Sequence, residues 1–131
     1  MLKIGEISKR TGIAVTTLRY YEQVGMLPAP ERLESGYRLY DRRHLERITF
    51  LKNTRKLGFS QQRIKALVAL LENPNRTSKK VKAAVQSHLE EIREKRCLIQ
   101  NIENQLNQII AKCDGGEQSD CPILETLLEE T

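Results

Sequence analysis

Three cysteines are the residues best equipped for chemistry in this 131-residue chain. Cys113 and Cys121 have seven residues between them, Gly115-Gly116 included. A Gly-Gly loop lets two such thiols converge on one ion, and thiolate is a soft ligand that selects Cu(I) or the thiophilic divalent ions. The same spacing also permits a disulfide, and so a thiol-redox switch, or two cysteines with no joint role. Zn(II) ordinarily takes four ligands from Cys, His and carboxylate, whereas this loop offers two sulfurs and no His. Asp114, Glu117 and Asp120 could add oxygen, although loop acids of this kind are mostly solvated. Cys97 lies 16 residues before Cys113, or ~24 Å along a helix, and is expected to be an outward thiol. His44 is remote in the sequence, and His88 falls on a helical apolar stripe, where a partner-facing role outweighs a metal one.

A second constellation is cationic. Arg19, Arg32, Arg38, Arg42, Arg43, Arg55 and Lys56 come from separate segments, as phosphate contacts do, and such contacts carry affinity with little sequence information. Thr16, Thr17 and Tyr20 sit where a recognition helix would offer side chains to a major groove. Tyr37 and Arg38 are placed to reach the flanking backbone. Tyr21 and Tyr40 read equally well as core rings.

The elements that must position these residues follow from local signals. Ile4, Ile7 and Ser8 have helical spacing, Thr11-Gly12 breaks it, and Thr16 to Glu22 resumes it. Two short helices about a Gly turn are the cue for a DNA-reading pair. Gly25, Pro28 and Pro30 end helical structure. Residues 32–40 then read as a small β-hairpin turning at Ser35-Gly36, which makes a wing. Asp41 caps a helix over 42–56, with Tyr40 and Leu45 at staple positions. Gly58 ends it, and Ser60 caps another helix reaching about Leu71. After Asn73-Pro74-Asn75, the residues Val81, Val85, His88, Ile92, Lys95, Ile99, Ile102, Leu106, Ile109 and Cys113 alternate spacings of four and three. That is a sustained heptad. A helix over 78–112 would be roughly 50 Å long and would outrun anything the head could cover, so a second copy of the same helix is the expected partner. Pro122 opens a short terminal helix with Ile123, Leu124, Leu127 and Leu128 on one face.

Charge divides along the same boundary. Residues 1–71 carry 14 Lys/Arg against 6 Asp/Glu, a net of +8, whereas residues 72–131 carry 8 against 11, a net of −3. All six aromatic residues lie in the first 59 positions, and from Asp114 onward there are six acids and no Lys or Arg. A basic, aromatic-bearing half joined to an acidic one fits a nucleic-acid-binding head on a different kind of tail. No apolar run approaches the ~18–20 residues of a membrane span. The first residues lack a signal-peptide core, so a cytoplasmic location with reduced cysteines is expected. No Ser/His/Asp set, phosphate loop or paired-carboxylate cleft can be assembled, which leaves an enzyme without support. A metal-buffering protein would have no use for the basic, winged head.

Ile4-Gly5-Glu6, Leu18-Arg19-Tyr20-Tyr21-Glu22, Gly25-Met26-Leu27, Arg32-x-x-x-Gly36-Tyr37-Arg38-x-Tyr40 and Leu57-Gly58-Phe59-Ser60 together resemble the MerR family of transcription regulators. The resemblance implies a mainly α fold with a winged helix–turn–helix head at 1–71, a linker at 72–77, a dimerisation helix at 78–112 forming an antiparallel coiled coil, and a metal-binding loop with a short terminal helix at 113–131. It implies a homodimer on double-stranded promoter DNA that distorts an overlong spacer for RNA polymerase holoenzyme. By position it carries DNA contacts onto Arg19, Tyr21, Arg32, Tyr37 and Arg38, beside Thr16, Thr17, Tyr20, Arg55 and Lys56 from the residue reading. Thr16 stands where some relatives have a base-reading Lys. Ser78 matches the position at which divalent-ion members have a cysteine. A Ser there, with Cys-x7-Cys-Pro-Ile-Leu, is similar to the copper-sensing branch. The implied ion is Cu(I), with Ag(I) or Au(I) beside it and Zn(II) as the alternative. Lys112 is near enough to help balance a net negative thiolate site.

Overall fold

In a computed structural model of the chain, residues 2–130 are described. Met1 and Thr131, the outer bounds of the expected head and tail, lie outside them. Two compact units divide between Val85 and Gln86.

The first unit opens with β1 (Leu2–Lys3) and α1 (Ile4–Thr11), then α2 (Val15–Gln23). Gly12 stops α1 in the left-handed region at φ 74°, its N–H on the Ser8 carbonyl at 2.9 Å. A side chain would be strained there. Lys52 Nζ binds the Thr11 carbonyl at 2.7 Å and so satisfies another free carbonyl at that helix end. The wing is β2 (Glu31–Arg32) and β3 (Arg38–Tyr40), and its turn includes Gly36 at φ 86°. The hairpin expected from residues 32–40 is extended by a strand. β1 pairs antiparallel with β3, Leu2 opposite Tyr40, giving the order β1-β3-β2. A two-residue strand is too short to show an alternating pattern, so the sequence carries no signal for β1.

The cap signals hold residue by residue. α3 (Arg42–Lys56) starts at Asp41, whose carboxylate accepts from the His44 N–H at 3.2 Å. The His44 ring closes the reciprocal capping box on the Asp41 N–H. α4 (Gln61–Glu72) starts at Ser60, whose hydroxyl accepts from Arg63 N–H. The core gathers Ile7, Leu18, Tyr21, Met26, Leu27, Tyr40, Ile48, Leu51, Phe59, Ile64, Leu67 and Val68, with Ala84 packed against it. Arg47 stitches the Met26 carbonyl at 2.9 Å and Glu72 at 3.0 Å to α3.

α5 (Ser78–Ile110) runs 33 residues, about 50 Å at the helical rise. It leaves Leu98, Ile99, Ile102, Leu106 and Ile110 between 46% and 63% exposed. His88, read from the heptad as facing a second chain, is already buried in the single chain. α6 (Pro122–Leu128) has Leu124, Leu127 and Leu128 exposed. Among the described residues no helix is long and apolar enough to cross a membrane.

Tyr40 gives the head a pH signature. Its ring is wholly buried, and its hydroxyl donates to Glu22. Burial first, and then the neighbouring Glu22 carboxylate, push its pKa up to about 12. A raised folded pKa means that the contribution is complete below the unfolded value of ~10 and is lost as pH climbs through 12. Tyr40→Phe should cost about 1–3 kcal/mol at pH 8, and the gap between variant and wild type should close between pH 10 and 12. Urea unfolding across that range measures it, and a constant gap contradicts the assignment.

Candidate metal centre and nucleic-acid interface

Cys113 sits in the turn that ends α5, its N–H on the Ile110 carbonyl at 3.1 Å. Cys121 is the N-cap residue of α6, and Pro122 fills the first helical position. The loop between them turns at Gly115, φ 76°. Asp114 accepts from Gly116 N–H at 3.0 Å and from Gln118 Nε2 at 3.1 Å. These bonds, the Gly116 amide foremost, hold its carboxyl below the ordinary range, and they occupy it in building the loop. The result is that the two Sγ atoms lie 3.9 Å apart, both free thiols and both partly shielded from solvent. Two thiolate–metal bonds of ~2.3 Å end to end reach ~4.6 Å, so both sulfurs reach one ion without a change of backbone. Among the described residues no three His, Cys, Asp or Glu side chains converge in the same way.

The Cys121 thiol is poised for ionisation. The Leu124 amide, then that of Ile123, point toward its sulfur and pull its pKa below the ordinary thiol value, and the Cys113 thiol adds to this. Burial and the Glu125 carboxylate oppose them and lose. The amides polarise the sulfur without completing a capping hydrogen bond. Lys112 Nζ donates to Thr126 Oγ1 at 3.2 Å, and Thr126 donates to the Pro122 carbonyl at 2.9 Å, which ties α6 to the end of α5. Ser78 is the exposed first residue of α5. Cys97 is an exposed thiol and His44 is committed to Asp41, so neither joins the pair.

On the head, Thr16, Thr17, Tyr20, Tyr21 and Arg55 line one cleft of about 410 Å³. Arg55 Nη1 donates to Tyr21 Oη at 2.9 Å. Tyr21 is a core ring with its hydroxyl at the cleft. Tyr20, 42% exposed, accepts from Gln61 Nε2 at 2.6 Å. Gln61 went unread in the sequence. Its signal was its position directly after the Ser60 cap, at the start of a helix where free N–H groups favour anions. Arg19 is exposed on α2. Lys56 faces elsewhere, in a groove shared with Arg10 and Lys52. On the wing, Arg32 and Tyr37 are exposed, with Lys3 Nζ 4.6 Å above the Tyr37 ring, while Arg38 turns inward to Glu22 at 3.0 Å.

Residues 2–71 match the model of the MerR HTH family regulatory protein, and residues 45–109 that of the MerR DNA-binding region. The chain is 39% identical over 126 residues to the HTH-type transcriptional regulator CueR of Vibrio cholerae, covering 96% of this chain and 91% of that one. Among solved structures it is similar to the transcription regulator PbrR691 of Ralstonia metallidurans in complex with lead(II). There the TM-score is 0.86 and the identity 34%, over 97% of this chain and 99% of that one. It is also similar to MerR of Bacillus megaterium in complex with mercury(II), with TM-score 0.78 and 28% identity over 98% and 100%.

The poised thiol is directly measurable. Peptide-resolved alkylation of the reduced, metal-free chain with iodoacetamide should give Cys121 a midpoint below the ~8.5 of an unperturbed cysteine. A midpoint at or above that value contradicts the amide arrangement.

Proposed function

Because the chain belongs to the MerR family of helix–turn–helix regulators, we propose that it is a metal-responsive transcription regulator that senses a soft monovalent cation. It is a DNA-binding regulator, not an enzyme. Cu(I) is the proposed effector, with Ag(I) and Au(I) as chemical equivalents, and metal efflux and detoxification genes are the proposed targets. The observation that carries this reading is the 3.9 Å thiol pair, beside which no third metal-ligating side chain converges among the described residues. Two thiolates and a +1 ion leave a net −1, whereas a +2 ion leaves zero. The Leu124 and Ile123 amides supply the partial positive charge that tolerates an anionic centre. Cys113 and Cys121 would hold the ion, and holding it would order residues 113–121.

The rest of the chain fits this role. The exposed stripe of α5 is the proposed homodimer interface, an antiparallel coiled coil that sets the separation of two heads. Each head would place Thr16, Thr17 and Tyr20 in a major groove and hold phosphates with Arg19, Arg32, Tyr21, Tyr37, Arg55 and Lys56. Ordering of the loop changes how the apolar face of α6 packs, which shifts the dimer between two spacings of its heads. Promoter distortion then presents realigned elements to RNA polymerase holoenzyme in the cytoplasm.

A divalent effector is the second reading, favoured by one observation: 34% identity to a regulator solved with lead(II). Ser78, at the start of α5, is the proposed selectivity position, where a hydroxyl replaces a possible third thiol. X-ray absorption on anaerobic protein loaded with one Cu(I) per site should show two sulfur neighbours. Four ligands, or displacement of Cu(I) by equimolar Zn(II), would favour the divalent reading. Cys113→Ser should abolish metal-dependent transcription while DNA affinity stays within about threefold, and unchanged induction sinks the thiol assignment. Ile102→Glu should convert the sedimenting species from twice the chain mass to the single mass, since it puts a charge into the apolar seam; a monomeric wild type would remove the dimer from the scheme.

A further inference from the structure

The recognition helix and the wing meet at one carboxylate. Glu22, in the last turn of α2, has a side chain only 10% exposed. Its Oε2 lies 3.0 Å from Arg38 Nη1, and its Oε1 accepts from Tyr40 Oη. Arg38 and Tyr40 are two residues apart on β3, so both side chains stand on the same face of the strand. The Tyr40 ring packs edge-on against His44 at 5.3 Å, and His44 closes the cap of α3. A single carboxylate therefore bears on α2, β3 and the start of α3.

An acid this far from water needs its charge met where it sits. Arg38 meets it, with its own side chain 26% exposed. An arginine spent on an internal acid neutralises no phosphate and releases no counterion. Arg32, opposite Arg38 in the register, is exposed and has no acidic partner among the described residues. The two wing arginines therefore have different duties.

We infer that Glu22 is a positioning residue for DNA reading, which locks the wing to the recognition helix through Arg38 and Tyr40. Arg38 fixes where the wing stands, and Arg32 and Tyr37 meet the backbone. The inference rests on the DNA-binding reading of the head and adds a division of labour within it.

The test uses the full chain and a duplex recovered by selecting from a random-sequence pool. Wild-type binding to that duplex checks the DNA-binding reading on its own. Affinity is then followed against salt by fluorescence anisotropy. Arg32→Gln sets the scale, because each lost phosphate contact makes the slope shallower by about 0.9, or about 1.8 for a dimer. The paired variant Glu22→Gln/Arg38→Gln keeps the net charge and leaves neither ion unpaired at the junction. Its slope should equal that of wild type, and a slope shallower by about 1.8 overturns the proposal by making Arg38 a phosphate contact. Glu22→Ala reports the positioning role. Its preference for the selected duplex over a shuffled one should fall about tenfold or more, roughly the discrimination of one base pair, with Glu22→Gln restoring part of it. An unchanged preference in a folded Glu22→Ala protein also overturns the proposal.

Discussion

A carboxylate withdrawn from water must have its charge answered in place, and Glu22 imposes that demand on the head. An unanswered charge there costs more than a pair of hydrogen bonds returns, so the positions of Arg38 and Tyr40 are not free. Both belong to β3, and β3 in turn holds β1 on one edge and β2 on the other. Tyr40 is also the residue directly before the Asp41 cap, so the same contact fixes where α3 begins. The wing, the recognition helix and the scaffold helix thus share one electrostatic junction. The apolar core around Ile7, Leu18 and Ile48 supplies most of the burial, but it is non-directional; the junction supplies direction.

What could be read before the structure divides along the range of the forces. The caps at Asp41 and Ser60, the stop at Gly12 and the turn through Gly36 are written in three or four adjacent residues, and each stands where expected. The long helix was legible because its heptad repeats for many turns. The Glu22–Arg38 pair was not legible, because 15 residues of turn and wing separate its partners. Arg38 looked like a phosphate contact because a cation on a wing is exposed by default, and only the fold shows the acid behind it. Burial of His88 was not legible either, because a heptad reports which face of α5 a residue occupies and not how exposed it is.

The candidate centre shows the same division. Spacing and the Gly-Gly loop placed two thiols near one another, and the structure sets them 3.9 Å apart. Position in the chain also placed Pro122 at the start of a helix. It did not show that Cys121 itself would be the cap residue, with the Ile123 and Leu124 amides turned toward its sulfur. Nor did it show that Asp114 Oδ1 would accept from Gly116 and Gln118 and so help to build the loop.

Charge in the tail then acquires a finer reading than its sum. From Asp114 onward there are six acids and no Lys or Arg, an environment that on its own would hold thiols protonated. Glu125 does push that way on Cys121. The direction nevertheless comes out downward, so two backbone amides outweigh a carboxylate at this sulfur. The reason is distance and orientation: the amides point at the atom, whereas the Glu125 charge is shared with water and screened. A centre built this way gains its tolerance for negative charge from the backbone, which no substitution among the surrounding acids removes. The acids remain free to do something else, and on a chain whose other half is +8 they repel phosphate. Local amides favour the Cys121 thiolate while the surrounding acids give the tail the sign that repels phosphate, so the two electrostatic effects come from different parts of the chain and do not conflict.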